Sequence, residues 1–310
     1  LPDDIFSRSG GTGIDCKFDS TLMTDIARQS RIPMSFTSID ASQCYDRVLH
    51  LILWMVWYSL VKFENVVITI VTCLQLMEYF MRTGFGDSVN SYGGRRSTFR
   101  WDGLGQGSRG APDAWLQISS PIFNILRKVG YGAQFENPIT HEEVVSVGSA
   151  FVDDANMYIF GKHLDTIAKV YAEAEEHISA WATMLFVTGG CVKVRKSYLW
   201  VIDHVYDERT GRWRLKKTEG MPMEVEGDDG VKTEINSLPM DDEQEFLGVH
   251  DAPAGGNEKE IEEKKDKVET FVQRMSNANL PSFLGWMAYK YKLWASIRYG
   301  LGTMTNDVED

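Results

Sequence analysis

The alternation of apolar and polar positions divides the chain into recognisable segments. MSFTSID, Met34 to Asp40, is a short run of strand formers ending on an acid and predicts a buried strand. Asp46 to Lys62 is apolar on nearly every face, which predicts a buried helix. Val67, Val71, Leu74, Met77, Phe80 and Met81 recur at helical spacing and predict a second long helix, Asn65 to Met81, broken by Gly84 to Gly93. STFRWDG then reads as a strand entering a glycine-rich turn. Further helices are expected at Phe18 to Gln29, Pro112 to Val129 and His163 to Val187, the last stopped by Gly189-Gly190. Val144 to Asp153 and Asp154 to Phe160 form the arms of a hairpin. A second hairpin pairs Tyr198 to Tyr206 with Trp213 to Lys217 around DERTGR. Residues 219–245 are poor in apolar positions and read as a loop. A short strand at Phe246 to Val249 precedes a charged helix, Asn257 to Met275, and a last helix, Pro281 to Tyr299. Strands and helices mix without strict βαβ alternation, so the expected class is α+β with an antiparallel sheet.

Composition adds limits. The 310 residues, 43% hydrophobic, suffice for one large core or two modest ones. The most apolar run, Val48 to Val61, is 14 residues long and includes His50, too short to span a bilayer, so no membrane partner is expected. Cys16, Cys44, Cys73 and Cys191 lie far apart, as reduced thiols of an intracellular protein of cytoplasm or nucleus would. No zinc spacing links the six histidines. The polar start of the chain lacks both a signal peptide and an initiator Met, as a fragment would. The net charge of −12 opposes a nucleic-acid partner. Residues 219–245 hold ten acids and one Lys, a net −9, which leaves −3 for the rest and lets Arg95-Arg96, Lys193 to Lys196 and Lys216-Lys217 stand out.

The candidate chemistry is acidic. Asp40 ends one strand, and Asp153-Asp154 sit at the tip of a hairpin. Phosphoryl transfer with two divalent ions needs carboxylates converging on metals about 3.5–4 Å apart, and strand ends hold such groups rigidly. Asp-Asp also favours plain turns, so this signal alone leaves both readings open.

Flanking words extend it. SIDASQCYDRV resembles the first catalytic motif of reverse transcriptases, in which an Asp is followed five residues later by an aromatic, here Asp40 and Tyr45. GLGQGSRGAP is similar to the Gln-Gly motif that contacts template and incoming nucleotide, and FVDD to the aromatic-x-Asp-Asp signature. GGCVKVRKSYLW resembles the next motif, whose Lys is Lys196, and EFLGV the primer-grip segment. These motifs cover roughly residues 36–250 in the family's order. FSRSGGTGID resembles a degraded form of a segment found in intron-encoded and non-LTR retroelement enzymes, with Arg8 at the first Arg and Gly11 replacing the second. AYKYKLWASIRYGLGT is similar to the start of the thumb.

This resemblance implies a right-hand polymerase palm, an antiparallel sheet backed by helices, with partial fingers and an incomplete thumb. The implied division is 1–35 partial fingers, 36–60 palm, 61–100 fingers and palm helices, 101–250 palm, and 251–310 the start of a helical thumb. It implies an RNA-directed DNA polymerase using two Mg²⁺ (or Mn²⁺) ions held by Asp40, Asp153, Asp154 and the Ala41 carbonyl. Lys196 would assist the leaving pyrophosphate, with Lys193 as the alternative. Arg8, Tyr45 and Gln106 would contact the nucleotide, Tyr45 as a steric sugar gate. Arg109 would touch template phosphate or remain a solvated cation. Asp46 reads as a helix cap and His50 as a hydrogen-bonded core residue. The implied partners are an RNA template, a primer strand, deoxynucleoside triphosphates and other domains of a parent polyprotein. Two readings stay open beside it: an RNA-dependent RNA polymerase, which typically carries Asp where Tyr45 stands, and a catalytically inactive palm that binds RNA.

Overall fold

The computed structural model describes residues 3–94, 102–105, 108, 110–162, 165–217, 223–227 and 230–304. In chain order the elements are α1 (Gly13–Ser30), β1 (Met34–Asp40), α2 (His50–Val61), α3 (Glu64–Leu76), β2 (Glu78–Thr83), β3 (Gly86–Gly93), α4 (Ala111–Val129), β4 (Ala133–Glu136), β5 (Glu143–Ser146), β6 (Gly148–Phe151) and β7 (Asp154–Phe160). There follow α5 (Ile167–Val187), β8 (Tyr198–Ile202), β9 (His204–Asp207), β10 (Arg212–Leu215), β11 (Met223–Glu226), β12 (Lys232–Leu238), β13 (Gln244–Phe246), β14 (Val249–Asp251), α6 (Glu258–Asn277), α7 (Ser282–Ala288) and α8 (Trp294–Arg298).

The main sheet has six strands in the order β11-β12-β8-β1-β7-β6. All its pairs are antiparallel except β12 with β8. Helices cover it, so the chain is a mixed helix-and-sheet protein. One face carries Ile39, Ala155, Met157, Ile159, Leu199 and Val201, which pack with Trp115, Phe123 and Leu126 of α4 and Ile178, Trp181 and Leu185 of α5. The opposite face carries Met34, Phe36, Tyr158, Phe160, Trp200 and Ile202 and is closed by Met23 and Ala27 of α1. Burial of this apolar area at about 25 cal/mol per Å² drives the assembly.

On that second face the composition changes along each strand. In β1 it runs Met34, Phe36, then Ser38 and Asp40; in β7 it runs Phe160, Tyr158, then Asn156 and Asp154. The central strand is thus apolar at one end, where α1 covers it, and acidic at the other. Thr12 begins α1 with a capping box to Asp15, satisfying free N–H groups at the helix start.

Several elements differ from expectation. The first apolar helix begins at His50, four residues after Asp46, and its N-cap is Leu49, so Asp46 does not cap it. Only His50 and Leu53 of α2 are buried, and Leu51 is 67% exposed, so α2 is not the buried helix its composition predicts. The expected helix over Asn65 to Met81 ends at Leu76, and Glu78 onward pairs with β3 as a hairpin, because strand pairing satisfies the backbone there. STFRWDG lies mostly outside the described residues. The arm expected over Val144 to Asp153 is two strands, β5 pairing with β4 and β6 with β7. Within the segment 219–245, expected to be a loop, Met223–Glu226 and Lys232–Leu238 are strands β11 and β12, which extend the main sheet and bury Met223, Val225 and Ile235. The last helix is interrupted by a π-helical turn, Tyr289–Leu293. His50 is as expected: it is 2% exposed and its Nε2 donates to the Gly103 carbonyl at 2.7 Å.

Candidate active site

Register brings the acids together. Asp40 and Asp154 are directly opposed across β1 and β7, so their side chains leave the same face. Asp153 is in the turn between β6 and β7, and its carbonyl accepts the Ala41 N–H at 3.3 Å, which closes the turn onto the end of β1. Val152, just before it, has φ 61°, an uncommon conformation for a β-branched residue. The Trp115 indole donates to the Val152 carbonyl at 2.5 Å and holds the turn in that shape.

A third segment closes the site. The Lys193 N–H donates to the Asp40 carbonyl at 2.8 Å, and a 3₁₀ turn at Val194–Lys196 carries Lys196 back toward the carboxylates. Lys196 Nζ lies 3.4 Å from Asp40 Oδ2. Ser197, which sequence reading did not single out, accepts the Asp40 N–H at 3.4 Å and donates to the Lys193 carbonyl at 3.2 Å. Its place in the lysine motif gave no separate signal.

Two clefts meet at these carboxylates. The upper one, of 480 Å³, is lined by Asp40, Ala41, Gln43, Cys44, Tyr45, Asp46, Asp153, Asp154, Lys193 and Lys196. The lower one, of 560 Å³, lies between Asp40, Asp154 and Lys196 on one side and Asn236, Leu238 and Gln244 to Gly248 on the other. Tyr45 is half-buried at the wall of the upper cleft. Its carbonyl accepts the Leu104 N–H at 2.7 Å, and the His50 bond to Gly103 anchors the same loop. Gly105 has φ 74°, and a Cβ there would fall 2.4 Å from the Tyr79 hydroxyl, so only Gly fits. Asn236 and Leu238 belong to β12, whose acidic surroundings concealed the strand in the sequence.

Burial and mutual repulsion govern the electrostatics. Desolvation, then the charges of Asp153 and Asp40, raise the Asp154 carboxyl to about 6 against the opposing pull of Lys196. The Asp153 carboxyl is raised as well, chiefly by desolvation. The Tyr45 phenol is pushed up to about 12, first by burial and then by Cys44 and Asp153, and is neutral at any physiological pH. The three carboxylates are more open than a single-ion cage: among the described residues, the set of three ligand groups lying within 4.8 Å of one another is His250, Glu260 and Glu263. Partly buried carboxylate oxygens suit hard divalent cations, while the Lys196 ammonium offsets part of their charge.

The remaining sequence candidates are placed differently. Arg8 pairs with Asp3 at 2.8 Å and is not among the residues lining either cleft. Gly11 sits so close to the chain that a Cβ would lie 2.2 Å from the Phe6 carbonyl, so an Arg has no room there. Gln106, Arg109 and Arg95-Arg96 lie outside the described residues. Asp46 lines the upper cleft.

No protein-family model matches the chain, and no curated protein matches it. Among solved structures it is similar to a telomerase from Candida albicans in complex with a TWJ fragment of telomeric RNA, with 15% identity, a TM-score of 0.35, and coverage of 63% of this chain and 31% of that one. It is also similar to an apo telomerase from Candida tropicalis truncated from its C-terminal domain, with 14% identity, a TM-score of 0.37, and coverage of 69% and 41%. The chain thus spans well under half the length of either. Among the described residues no helix is long and apolar enough to cross a membrane.

Proposed function

We propose that this chain is the catalytic core of an RNA-directed DNA polymerase of a retroelement, of the non-LTR or intron-encoded type. It would add deoxynucleotides to a primer 3′-hydroxyl on an RNA template. The observation that carries this reading is the opposed pair Asp40 and Asp154, with Asp153 tied beside them, at the junction of two clefts. One cleft suits a nucleotide and the other a primer end, and the reacting atoms would meet at the acids. In this reading the main sheet belongs to the palm, residues 1–35 are partial fingers, 61–100 contribute fingers and palm helices, and 251–310 begin a thumb.

Asp40, Asp153, Asp154 and the Ala41 carbonyl would hold two Mg²⁺ ions, which when bound lower the pKa of a hydroxyl and stabilise phosphoryl charge. The protein's own groups do the remainder. Its turn and strand contacts fix the carboxylates before substrate arrives, so little reorganisation accompanies reaction. Lys196 Nζ holds a proton near the acids and would neutralise or protonate the departing pyrophosphate. The Tyr45 ring would stack against the deoxyribose and leave no space for a 2′-hydroxyl.

Primer extension on an RNA template with Mg²⁺ tests the proposal. The wild-type chain is expected to extend the primer, and Asp153→Asn to fall to background while keeping its circular dichroism. Undiminished extension by Asp153→Asn would sink the assignment.

A further inference from the structure

A second group of potential ligands lies where the hairpin β13–β14 meets α6. His250 Nδ1 is 3.6 Å from Glu260 Oε2 and 3.6 Å from Glu263 Oε1, and one ligand atom of each residue lies within 4.8 Å of those of the other two. The two glutamates are three residues apart and share a face of α6. Each turns its other oxygen to a lysine: Glu260 Oε1 is 2.7 Å from Lys264 Nζ, and Glu263 Oε2 is 3.1 Å from Lys267 Nζ. Glu260 is 1% exposed, and its Oε2 also accepts the His250 backbone N–H at 3.0 Å. Nδ1 itself is sealed from solvent and has no hydrogen-bond partner.

A hydrogen bond does not account for this arrangement. A protonated imidazole bonded to a carboxylate would sit at about 2.7–3.2 Å, and one Nδ1–H cannot serve two oxygens that are both farther away. A tetrahedral ion with bonds of about 2.0–2.2 Å sets its ligands about 3.3–3.6 Å apart, close to the two nitrogen–oxygen separations of 3.6 Å. Ligating carboxylates commonly have their free oxygens held by neighbouring donors, as the two lysines do here. We propose that His250, Glu260 and Glu263 form a site for a divalent transition-metal ion of zinc's class, with solvent as the fourth ligand on the half-exposed Glu263 side. An imidazole ligand favours such an ion over Mg²⁺. The two lysines offset the glutamate charge, so affinity is moderate. A bound ion would clamp β14 to α6 and thereby steady the Gln244 to Leu247 wall of the lower cleft.

The test is calorimetric titration of ZnCl₂ into the chelator-treated chain, for wild type, His250→Gln and Glu263→Gln, with thermal melts of each. Wild type is expected to bind one equivalent more than His250→Gln, and Glu263→Gln to bind that equivalent at least tenfold more weakly. Zinc should raise the melting temperature of wild type above its effect on either variant, while the Glu263→Gln melt in chelator matches wild type. All three proteins keep Asp40, Asp153 and Asp154, so zinc taken up there cancels, and the result does not depend on the polymerase reading. Equal zinc uptake and equal shifts in all three, or no zinc effect on wild type, overturns the site.

Discussion

At the scale of single residues, Asp154 and Tyr45 carry the sharpest consequences. The Asp154 carboxyl lies at about 6 in the fold against an ordinary value of 3.8, so the native state binds the proton more tightly than the unfolded chain. Stability therefore falls as pH rises from about 4 to about 6, and the full cost remains above that. Asp154→Asn, melted in chelator, is expected to be more stable than wild type at pH 8, with the advantage shrinking toward pH 4. A constant difference across that range contradicts the assignment of the strain to this carboxylate. Tyr45 is half-buried, lines the upper cleft and packs against the main core. Tyr45→Val should raise kcat/KM for ribonucleotides by about two orders of magnitude, roughly 2.7 kcal/mol of relieved clash, with much less effect on deoxynucleotides. Single-nucleotide addition to a primed RNA template measures it, and a wild-type chain that already uses both sugars equally has no gate.

At the scale of elements, α2 shows how far composition and burial part company. Its apolar residues face both the core and solvent: Leu53 is fully buried, while Leu51, Met55 and Leu60 are exposed. Leu53→Ala is expected to cost about 3 kcal/mol, as cavity formation in a packed core does. Leu51→Ala should stay within about 0.5 kcal/mol, as exposed substitutions do. Urea denaturation of the two variants decides it, and equal losses would show that both sides of the helix are covered in solution. The strand β1 behaves in the opposite way. Its seven residues matched their prediction end to end, because a central strand is buried on both faces and its sequence is constrained on both.

At the scale of the whole molecule, distant segments are joined through a few polar contacts. Lys17 of α1 is 1% exposed, forms an ion pair with Asp251 of β14, and lies 5.7 Å over the Phe246 ring. Tyr299 donates to the Leu247 carbonyl at 2.8 Å from the other side. The hairpin that walls the lower cleft is thus held to both ends of the chain. Lys17→Met should destabilise by about 3 kcal/mol, because it leaves Asp251 without its partner. The double variant Lys17→Met, Asp251→Leu should recover most of that loss in urea denaturation. A double variant no better than the single one would place the loss in packing around the lysine stem instead of in the unpaired charge.

Local sequence determined what short-range rules govern. The strand ending on Asp40, the hairpin carrying Asp153-Asp154, α4, α5 and the hydrogen-bonded His50 follow from periodicity, turn chemistry and burial preference within a few residues. The acidic residues were legible for the same reason, since a charge at the end of an apolar strand is visible without neighbours. Only the tertiary structure decided what depends on partners far away in the chain. Residues 223–226 and 232–238 look like a solvated loop, yet become strands because β8 offers an open edge to pair with. Glu78 to Thr83 left its predicted helix because β3 folds back on it. The opposition of Asp40 and Asp154, 114 positions apart, is a matter of register, which is fixed when the apolar face of each strand is buried and every side chain must follow.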